Sequence, residues 1–194
     1  MPDLPAPKAS DRILAVAGEL FYRQGTRAVG VDEIAARAGA TKPTLYRAFA
    51  SKDQLIAAFL EGQAQALWAR FEAAAARFPD DPRAQLAAVF AALAGQVEAP
   101  DFRGCALSNA AVEHPDAAHP GRQVTVAQKA ALRERLRAMT KAMGARRPKK
   151  LADGLLLLLE GAWVSHQIFG PEGPAAAAGH AAETLIEAHM KGHD

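Results

Sequence analysis

The stretch GVDEIAARAGATKPTLYRAFA, residues 30–50, decides the fold because it describes two short helices joined by a tight turn. Its aspartate and glutamate put negative charge in the first turn of a helix, where the helix dipole favours it. Gly39 then ends that helix, since glycine adopts a positive φ without steric cost. Thr41 is a suitable cap for the next helix, and Pro43 falls in its first turn. The pattern predicts a helix-turn-helix.

The second of these helices suits the major groove of DNA. It is short, running from Lys42 to Phe49, and Leu45 and Phe49 give it one apolar side. From Arg37 to Lys52 the chain has four basic residues and no acidic one. A short helix that is apolar on one side and basic on the other fits a major groove.

The flanking segments complete a DNA-binding head. Ser10 and Asp11 are expected to cap a first helix, whose apolar residues recur at helical spacing up to Gly25. After the motif, the sequence SKDQ at 51–54 is a capping box that opens a long helix. We therefore expect three helices that bind DNA and a fourth that leads away from them.

Four sequence elements carry a resemblance to a known family. FYRQG, IAARAGA, TLYRAF and SKDQL occur within residues 12–60 in this order and spacing. This segment resembles the amino-terminal domain of the TetR family of bacterial one-component transcriptional regulators. The resemblance is close over roughly the first third of the chain and extends to the remainder in general architecture.

The resemblance implies which side chains meet DNA. The positions that match DNA-contacting positions of the family are Lys42, Pro43, Thr44, Tyr46 and Lys52. In the family, the tyrosine hydroxyl and the second lysine usually lie on phosphates. Ala48 stands where the family often has histidine, and the neighbouring Arg47 is the residue that can compensate.

These side chains have two expected roles. Phosphate contacts position a protein on DNA, whereas base contacts specify the sequence. We therefore expect Tyr46 and Lys52 to set affinity, and the other candidates to influence sequence choice: Lys42, Thr44 and Arg47. The alternative is that the segment is an ordinary helical hairpin with a solvated basic face.

Length and composition predict an all-α protein with two parts. The chain has 194 residues, half of them hydrophobic, which is enough to bury a core beside a small head. Alanine is abundant and no stretch alternates apolar and polar residues for long, so an all-α chain is expected, with about nine helices in total. We predict a disordered tail at 1–9, a DNA-binding domain at 10–55 with its motif at about 31–50, and a helical ligand-binding and dimerisation domain at 56–194.

The sequence predicts a cytoplasmic protein without a membrane segment. Cys105 is the single cysteine and cannot form an intrachain disulfide, and the first ten residues lack the apolar core of a signal peptide. The most apolar segment, residues 151–169, is interrupted by an aspartate, a glutamate and a histidine. It is therefore expected to be a buried helix and not a membrane span.

The last two helices predict a homodimer. The run from Leu155 to Leu159 is apolar on every side of its helix, and such a helix must be covered all round. A second helix at about 174–191 brings small residues that allow close approach. Two such helices from each subunit would form a four-helix interface, which the resemblance also implies; the alternative is an ordinary monomer core. The interface candidates are Leu155, Leu156, Leu158, Ala178, Ala182, Leu185 and Ile186.

The resemblance further implies a pocket for a small-molecule effector in the larger domain. Its occupancy would favour the form that does not bind DNA, so repression is the expected mode of regulation. Apolar walls indicate an apolar effector, although each of these residues also suits a plain core. The apolar candidates are Phe90, Phe102, Leu107, Val112, Leu132, Leu136, Met139, Leu159 and Trp163, and the polar ones are Asn109, His166 and Gln167.

Cys105 supports a different hypothesis about the trigger. It follows Gly104 at the expected start of a helix, where unpaired N–H groups and the helix dipole make a thiol more reactive. The RGC segment resembles that of some TetR-like regulators of the electrophile response. The alternative is a small buried hydrophobic residue that lines the pocket or the core.

No motif predicts catalysis or a cofactor. The chain has no HExxH sequence and no glycine-rich phosphate loop, so an enzyme is not expected; a helical interaction module without DNA binding is a further alternative. Glu113, His114, Asp116 and His119 have metal-compatible side chains, but the prolines around them favour solvated loop residues, and no metal is predicted. In residues 121–150, ten basic residues occur with one acidic residue. This basic strip is expected to solvate a helix and a loop; the alternatives are attraction of an anionic ligand or of accessory DNA.

Overall fold

Every regular element that the structure describes is helical, as predicted. The computed structural model describes residues 8–99 and 101–190. Its α-helices in these residues are α1 (Ala9–Gln24), α2 (Val31–Arg37), α3 (Lys42–Ala48), α4 (Lys52–Ala75), α5 (Pro82–Ala94), α6 (Ala106–Glu113), α7 (Pro120–Ala142), α8 (Pro148–Phe169) and α9 (Ala178–Met190). Short 3-10 helices at Gly95–Glu98 and Pro174–Ala177 continue α5 and precede α9. The all-α prediction is confirmed.

Cap and turn residues begin and end the helices of the motif at the predicted places. Gly39, just past the end of α2, has φ 59°, in the left-handed region that favours glycine. The Thr41 hydroxyl accepts a hydrogen bond from the Thr44 N–H at 3.3 Å and caps α3. At the start of α4, the Ser51 hydroxyl accepts from the Gln54 N–H at 3.1 Å. Local sequence therefore sets the bounds of the helix-turn-helix.

The start of α1 differs from the prediction. The helix already begins at Ala9, so Ser10 and Asp11 lie inside its first turn and do not cap it. The Ser10 hydroxyl instead donates to the Asp11 carboxylate at 3.0 Å. Of the predicted tail at 1–9, residues 1–7 lie outside the described residues.

The described chain divides into two compact units. The head unit consists of residues 8–63 and 106–126, and the core unit consists of residues 64–99, 101–105 and 127–190. Helix α6 and the start of α7 therefore group with the DNA-binding helices, whereas the sequence placed everything after residue 55 in one domain. The buried Thr125 hydroxyl donates to the carbonyls of Leu107 and Gly121, at 3.2 and 3.0 Å, and so links α7 to α6.

The interior of the head unit is apolar. The rings of Phe21 in α1 and Phe59 in α4 pack with their centroids 5.8 Å apart. Each fully buried aliphatic side chain stabilises the fold by about 1.5–3 kcal/mol. Those without solvent exposure are Ile13, Ile34, Leu45, Leu55 and Leu60. The head unit thus has a core of its own.

The core unit is built around an apolar cluster from α5, α7, α8, α9 and the end of α4. The buried Trp163 indole N–H donates to the Leu93 carbonyl at 2.9 Å, so its polar atom is satisfied. Outside the cluster, Arg133 and Arg137 of α7 bind the Asp153 carboxylate of α8 at 2.7 and 2.9 Å. These two hydrogen-bonded guanidinium groups hold the pKa of Asp153 well below its usual range. Part of the basic strip therefore links α7 to α8.

The apolar run of α8 is not covered on all sides by its own chain. Leu155 and Leu159 are buried, whereas Leu157 between them is 73% exposed. Among the described helices, none combines the length and the apolar character that a membrane-spanning segment requires.

Candidate nucleic-acid interface

Helix α3 has the two sides that the sequence predicted. Leu45 is fully buried, and α3 packs against α1 and α2. Thr44 is half-buried, with its hydroxyl oxygen 2.9 Å from that of Thr41. The side chains exposed on the rest of the helix are Lys42, Pro43, Tyr46, Arg47 and Ala48. A short exposed helix with basic and hydrogen-bonding groups can enter a major groove, and contact of these residues with DNA stays a prediction.

Lys42 already has an acidic partner within the head unit. Its ammonium lies 3.1 Å from one carboxylate oxygen of Asp32 and 3.2 Å from the other. Both side chains are at least half exposed. A Lys42 that binds DNA must therefore leave Asp32 or share its charge with it.

Replacing Asp32 by asparagine is expected to tighten DNA binding by about 2- to 5-fold, the range of an exposed ion pair. The substitution removes a negative charge beside the DNA and frees the Lys42 ammonium for it. Fluorescence anisotropy with duplex DNA measures the change. Glu19→Gln is the matched control, because Glu19 also forms an exposed ion pair, with Arg23 in the same helix α1. Equal or weaker binding by the Asp32→Asn variant would argue against Lys42 as a DNA contact.

Lys52 begins α4 and is partly buried. Its ammonium donates to the carbonyl oxygen of Arg27 at 3.3 Å, so it holds the turn between α1 and α2. Burial lowers the pKa of Lys52, while the negative charges of Asp53 and Glu113 oppose the shift. The Lys52 side chain, which is predicted to contact a phosphate, is therefore held in position by the backbone of the head unit.

The same turn is held from α6. The Glu113 carboxylate accepts hydrogen bonds from the Thr26 hydroxyl at 2.7 Å and from the Arg27 N–H at 2.9 Å. Gly25 has φ 88°, and a Cβ atom there would lie 3.2 Å from this carboxylate. This arrangement was not predicted, since Glu113 and Thr26 are 87 residues apart and no local sequence pattern connects them.

The metal-compatible residues lie at the end of α6 and in the loop before α7. No group of three or more suitable ligands occurs in the part of the chain that the structure describes. The expectation of a solvated loop is nevertheless wrong for His119, whose side chain is 11% exposed. Its ring stacks on that of His114, with the centroids 3.8 Å apart. Asp116 is exposed and accepts from the Ala118 N–H at 2.9 Å.

The predicted effector-pocket residues do not all come together. Phe102 and His166 are half-buried in the core unit, and their rings meet edge to face with centroids 5.7 Å apart. Gln167, also in the core unit, is exposed. The candidates buried in the apolar cluster of the core unit are Phe90, Leu132, Leu136, Met139, Leu159 and Trp163.

The remaining pocket candidates belong to the head unit. Leu107, Asn109 and Val112 lie on α6, and Val112 is 83% exposed, so it does not line an enclosed pocket. The head unit itself has an open groove of about 580 Å³ between α1 and α4. None of the predicted pocket residues lines this groove.

Cys105 lies beside a charged pair that the sequence did not reveal. The Lys129 ammonium is 3.3 Å from its sulfur and forms an ion pair with Glu160. The same ammonium lies 4.9 Å from the centroid of the Trp163 ring. Gly104 has φ 79°, and any Cβ atom there would collide with a neighbouring glutamine side chain. The half-buried thiol therefore has a cation next to it.

Most of the predicted dimer-interface residues are covered by their own chain. The residues buried inside the core unit are Leu155, Ala178, Ala182 and Ile186, and those partly buried against it are Leu156, Leu158 and Leu185. The fully buried ones have no surface to offer a partner, which corrects the interface assignment. Instead, α8 exposes an apolar stripe at helical spacing. The apolar stripe consists of Leu157, Gly161, Val164 and Ile168.

Comparisons with known proteins agree with this site. Residues 13–59 match the family model of bacterial regulatory proteins, tetR family. A TetR-family transcriptional regulator from Streptomyces coelicolor superposes with a TM-score of 0.89 at 31% identity, over 94% of this chain and 96% of that chain. A TetR transcriptional regulator from Chloroflexus aurantiacus gives a TM-score of 0.77 at 25% identity, over 94% of each chain. The transcriptional activator FasR of Mycolicibacterium smegmatis is 45% identical over 58 residues, which span 30% of this chain and 26% of that protein.

The capped turn and the exposed basic helix after it define a helix-turn-helix DNA-binding protein. The likeness to the Streptomyces regulator extends over nearly the whole of both chains. The chain belongs to the TetR family of bacterial transcriptional regulators, a non-enzymatic family.

Proposed function

We propose that the chain is a ligand-responsive repressor that binds a palindromic operator as a homodimer and is released by a small, mainly apolar effector. The observation that carries the proposal is the exposed basic side of α3, held on a buried Leu45. The side chains proposed to meet DNA are Lys42, Pro43, Thr44, Tyr46, Arg47 and Lys52. A regulator of this kind acts on the chromosome, so we place it in the cytoplasm.

The apolar stripe of α8 supports the homodimer. Leu157 is 73% exposed, Val164 49% and Ile168 67%, and all lie on one side of the helix. Exposed apolar patches on one helix face mark interaction sites in soluble proteins. A second copy of the same stripe would cover it in a two-fold symmetric interface, as two heads on a palindrome require.

An apolar effector is supported by aromatic side chains of the core unit. Phe102 and His166 pack edge to face, and the centroid of the Trp163 ring lies 4.9 Å from the Lys129 ammonium. An effector that displaced such side chains would act by binding the DNA-free form more tightly than the DNA-bound form. The magnitude of its coupling free energy is then RT times the logarithm of the ratio of the two affinities.

In vitro transcription tests the sign of regulation. The template carries the DNA upstream of the chain's own gene, and an unrelated promoter on the same plasmid is the control. Repression predicts fewer transcripts from the upstream template and an unchanged control. Unchanged transcription from both templates would contradict the proposal, and an increase would replace repression by activation.

The contact between Lys129 and Cys105 favours a second candidate, a thiol sensor of oxidants or electrophiles. The Lys129 ammonium 3.3 Å from the sulfur gives the half-buried thiol the electropositive surroundings that are typical of reactive cysteines. Alkylation or oxidation there would add atoms to a half-buried site and disturb the Lys129–Glu160 ion pair. In this version, Cys105 is itself the effector site.

Replacing Cys105 by serine decides between the two candidates. Cys105 is the single cysteine, so N-ethylmaleimide modifies the wild type at one thiol. The thiol-sensor hypothesis predicts that N-ethylmaleimide releases wild-type protein from DNA and leaves the Cys105→Ser variant bound. Lys129→Met should slow the alkylation, because the thiolate loses its neighbouring cation. Wild-type protein that stays on DNA after complete alkylation would end the thiol-sensor hypothesis.

A further inference from the structure

The Arg27 backbone is held from both sides within the head unit. Its N–H donates to the Glu113 carboxylate, and its carbonyl oxygen accepts from the Lys52 ammonium. One peptide segment therefore links the last residue of α6 to the first residue of α4. The negative charge of Glu113 also opposes the lowering of the Lys52 pKa by burial.

The Thr26 hydroxyl makes two hydrogen bonds, and its partners determine which one it donates and which one it accepts. Its oxygen lies 2.7 Å from the Glu113 carboxylate and 2.7 Å from His114 Nε2. An ionised carboxylate can only accept, so Thr26 donates to Glu113 and His114 donates its Nε2–H to Thr26. Burial and the stacked His119 lower the pKa of His114, which favours the neutral ring near neutral pH.

The neighbouring helices hold this arrangement in place. The N–H of Gly121, at the start of α7, donates to His119 Nδ1 at 3.1 Å. The other nitrogen of this ring lies 3.4 Å from the Asp53 carboxylate of α4. The Arg122 guanidinium donates to the Ala111 carbonyl of α6 at 2.7 Å. Glu113 is therefore part of a network from α4, α6 and α7 and not a free surface carboxylate.

Loss of Glu113 would leave two donors without their acceptor. One is the hydroxyl of Thr26, which is 3% exposed, and the other is the Arg27 N–H. A buried donor without an acceptor is unfavourable, so the turn would shift toward water or another acceptor. A shifted turn would carry the Arg27 carbonyl with it, and Lys52 would lose its anchor.

We propose that Glu113 is a positioning residue for DNA binding, which fixes the turn between α1 and α2 and thereby the Lys52 ammonium on a DNA phosphate. The inference rests on DNA binding by the head unit and adds a residue of α6 to it. Glu113 itself touches no DNA in this account. Its effect on affinity passes through the Thr26–Arg27 turn.

Two shape-conserving substitutions test the proposal in the full-length protein. Glu113→Met, which keeps the length of the side chain but has no oxygen acceptor, and Thr26→Val should each weaken binding to the DNA upstream of the chain's own gene by on the order of 5- to 20-fold. Thr26→Ser keeps the donor and should retain wild-type affinity. The double variant should bind no more weakly than the single variant with the lower affinity, since both changes remove the Thr26–Glu113 hydrogen bond. Competition anisotropy measures all four affinities.

A merely structural role is separated by two further measurements. Hydrogen exchange of the Arg27 amide in DNA-free protein should accelerate at least 10-fold in Glu113→Met, because its acceptor is removed. Circular dichroism should show unchanged helix content. Val112→Ala is the matched control, because Val112 is exposed and directly precedes Glu113 in α6. This variant should change neither the Arg27 exchange rate nor the helix content.

Two outcomes would overturn the proposal. One is affinity of both single variants within two-fold of wild type. The other is full additivity of Glu113→Met and Thr26→Val, which would mean that the residues act independently. If wild-type protein showed no preference for the upstream DNA, the proposed function would fail. The exchange rate of the Arg27 amide in DNA-free protein would still show whether Glu113 fixes the turn.

Discussion

Replacing Lys42 and Arg47 together by alanine is expected to weaken binding to upstream operator DNA by on the order of 10²- to 10³-fold, since each good base or phosphate contact is worth about 1–3 kcal/mol. Both side chains are exposed on α3, and alanine is the best helix former, so the helix itself should persist. Loss of Lys42 also leaves the Asp32 carboxylate unpaired beside the DNA. Anisotropy at several salt concentrations measures both the affinity and the number of lost ionic contacts.

A charge-matched control separates contact from net charge. Arg83 at the start of α5 and Lys149 at the start of α8 are exposed in the core unit, and their double alanine variant removes the same two charges. We expect this control to bind operator within about two-fold of wild type, because neither residue belongs to the helix-turn-helix. Equal losses in both variants would show that general positive charge, and not α3, carries the affinity.

The double substitution Leu157→Glu, Val164→Glu is expected to convert the proposed dimer into monomers. Both residues lie on the exposed stripe of α8, so the monomer fold should tolerate the change. In a dimer the two copies of the stripe would bring four carboxylates into one apolar interface, where unpaired charges are strongly unfavourable. Each head then binds its half-site alone, and operator affinity should fall on the order of 10²-fold or more through loss of avidity. Sedimentation velocity and anisotropy measure the two effects.

Val126→Glu provides the control for this experiment. Val126 is an apolar residue of α7 in the head unit with 57% exposure, outside the stripe. Its variant should keep both the sedimentation coefficient and the affinity of the wild type. A wild-type protein that sediments as a monomer at micromolar concentration, or a double glutamate variant that stays dimeric, would contradict the proposed interface.

Local signals made the helix-turn-helix predictable. Gly39, Thr41 and Ser51 each act within a few residues of their own position, so their types alone determine a turn or a cap. The prediction that Ser10 and Asp11 cap α1 was wrong, because the helix starts one residue before Ser10. Helix starts shift easily by a residue, because several neighbouring positions can satisfy the first N–H groups.

Contacts between distant parts of the chain were not predictable. Glu113 meets Thr26 across 87 residues, and Lys129 meets Glu160 across 31, so neither pair leaves a local pattern. The leucine run of α8 correctly indicated a helix with several apolar sides. Which side stays exposed depends on where α5 and α9 pack, and for this reason the sequence favoured Leu155 where the structure exposes Leu157.

DNase I footprinting of the DNA upstream of the chain's own gene tests the central claim, that α3 of a paired head reads an operator. The account predicts protection of two symmetric half-sites whose centres lie about one helical turn, roughly 34–36 Å, apart. The Lys42→Ala, Arg47→Ala double variant should lose this protection at the same protein concentration. Uniform protection along the fragment, or the same footprint from the double variant, would contradict the account.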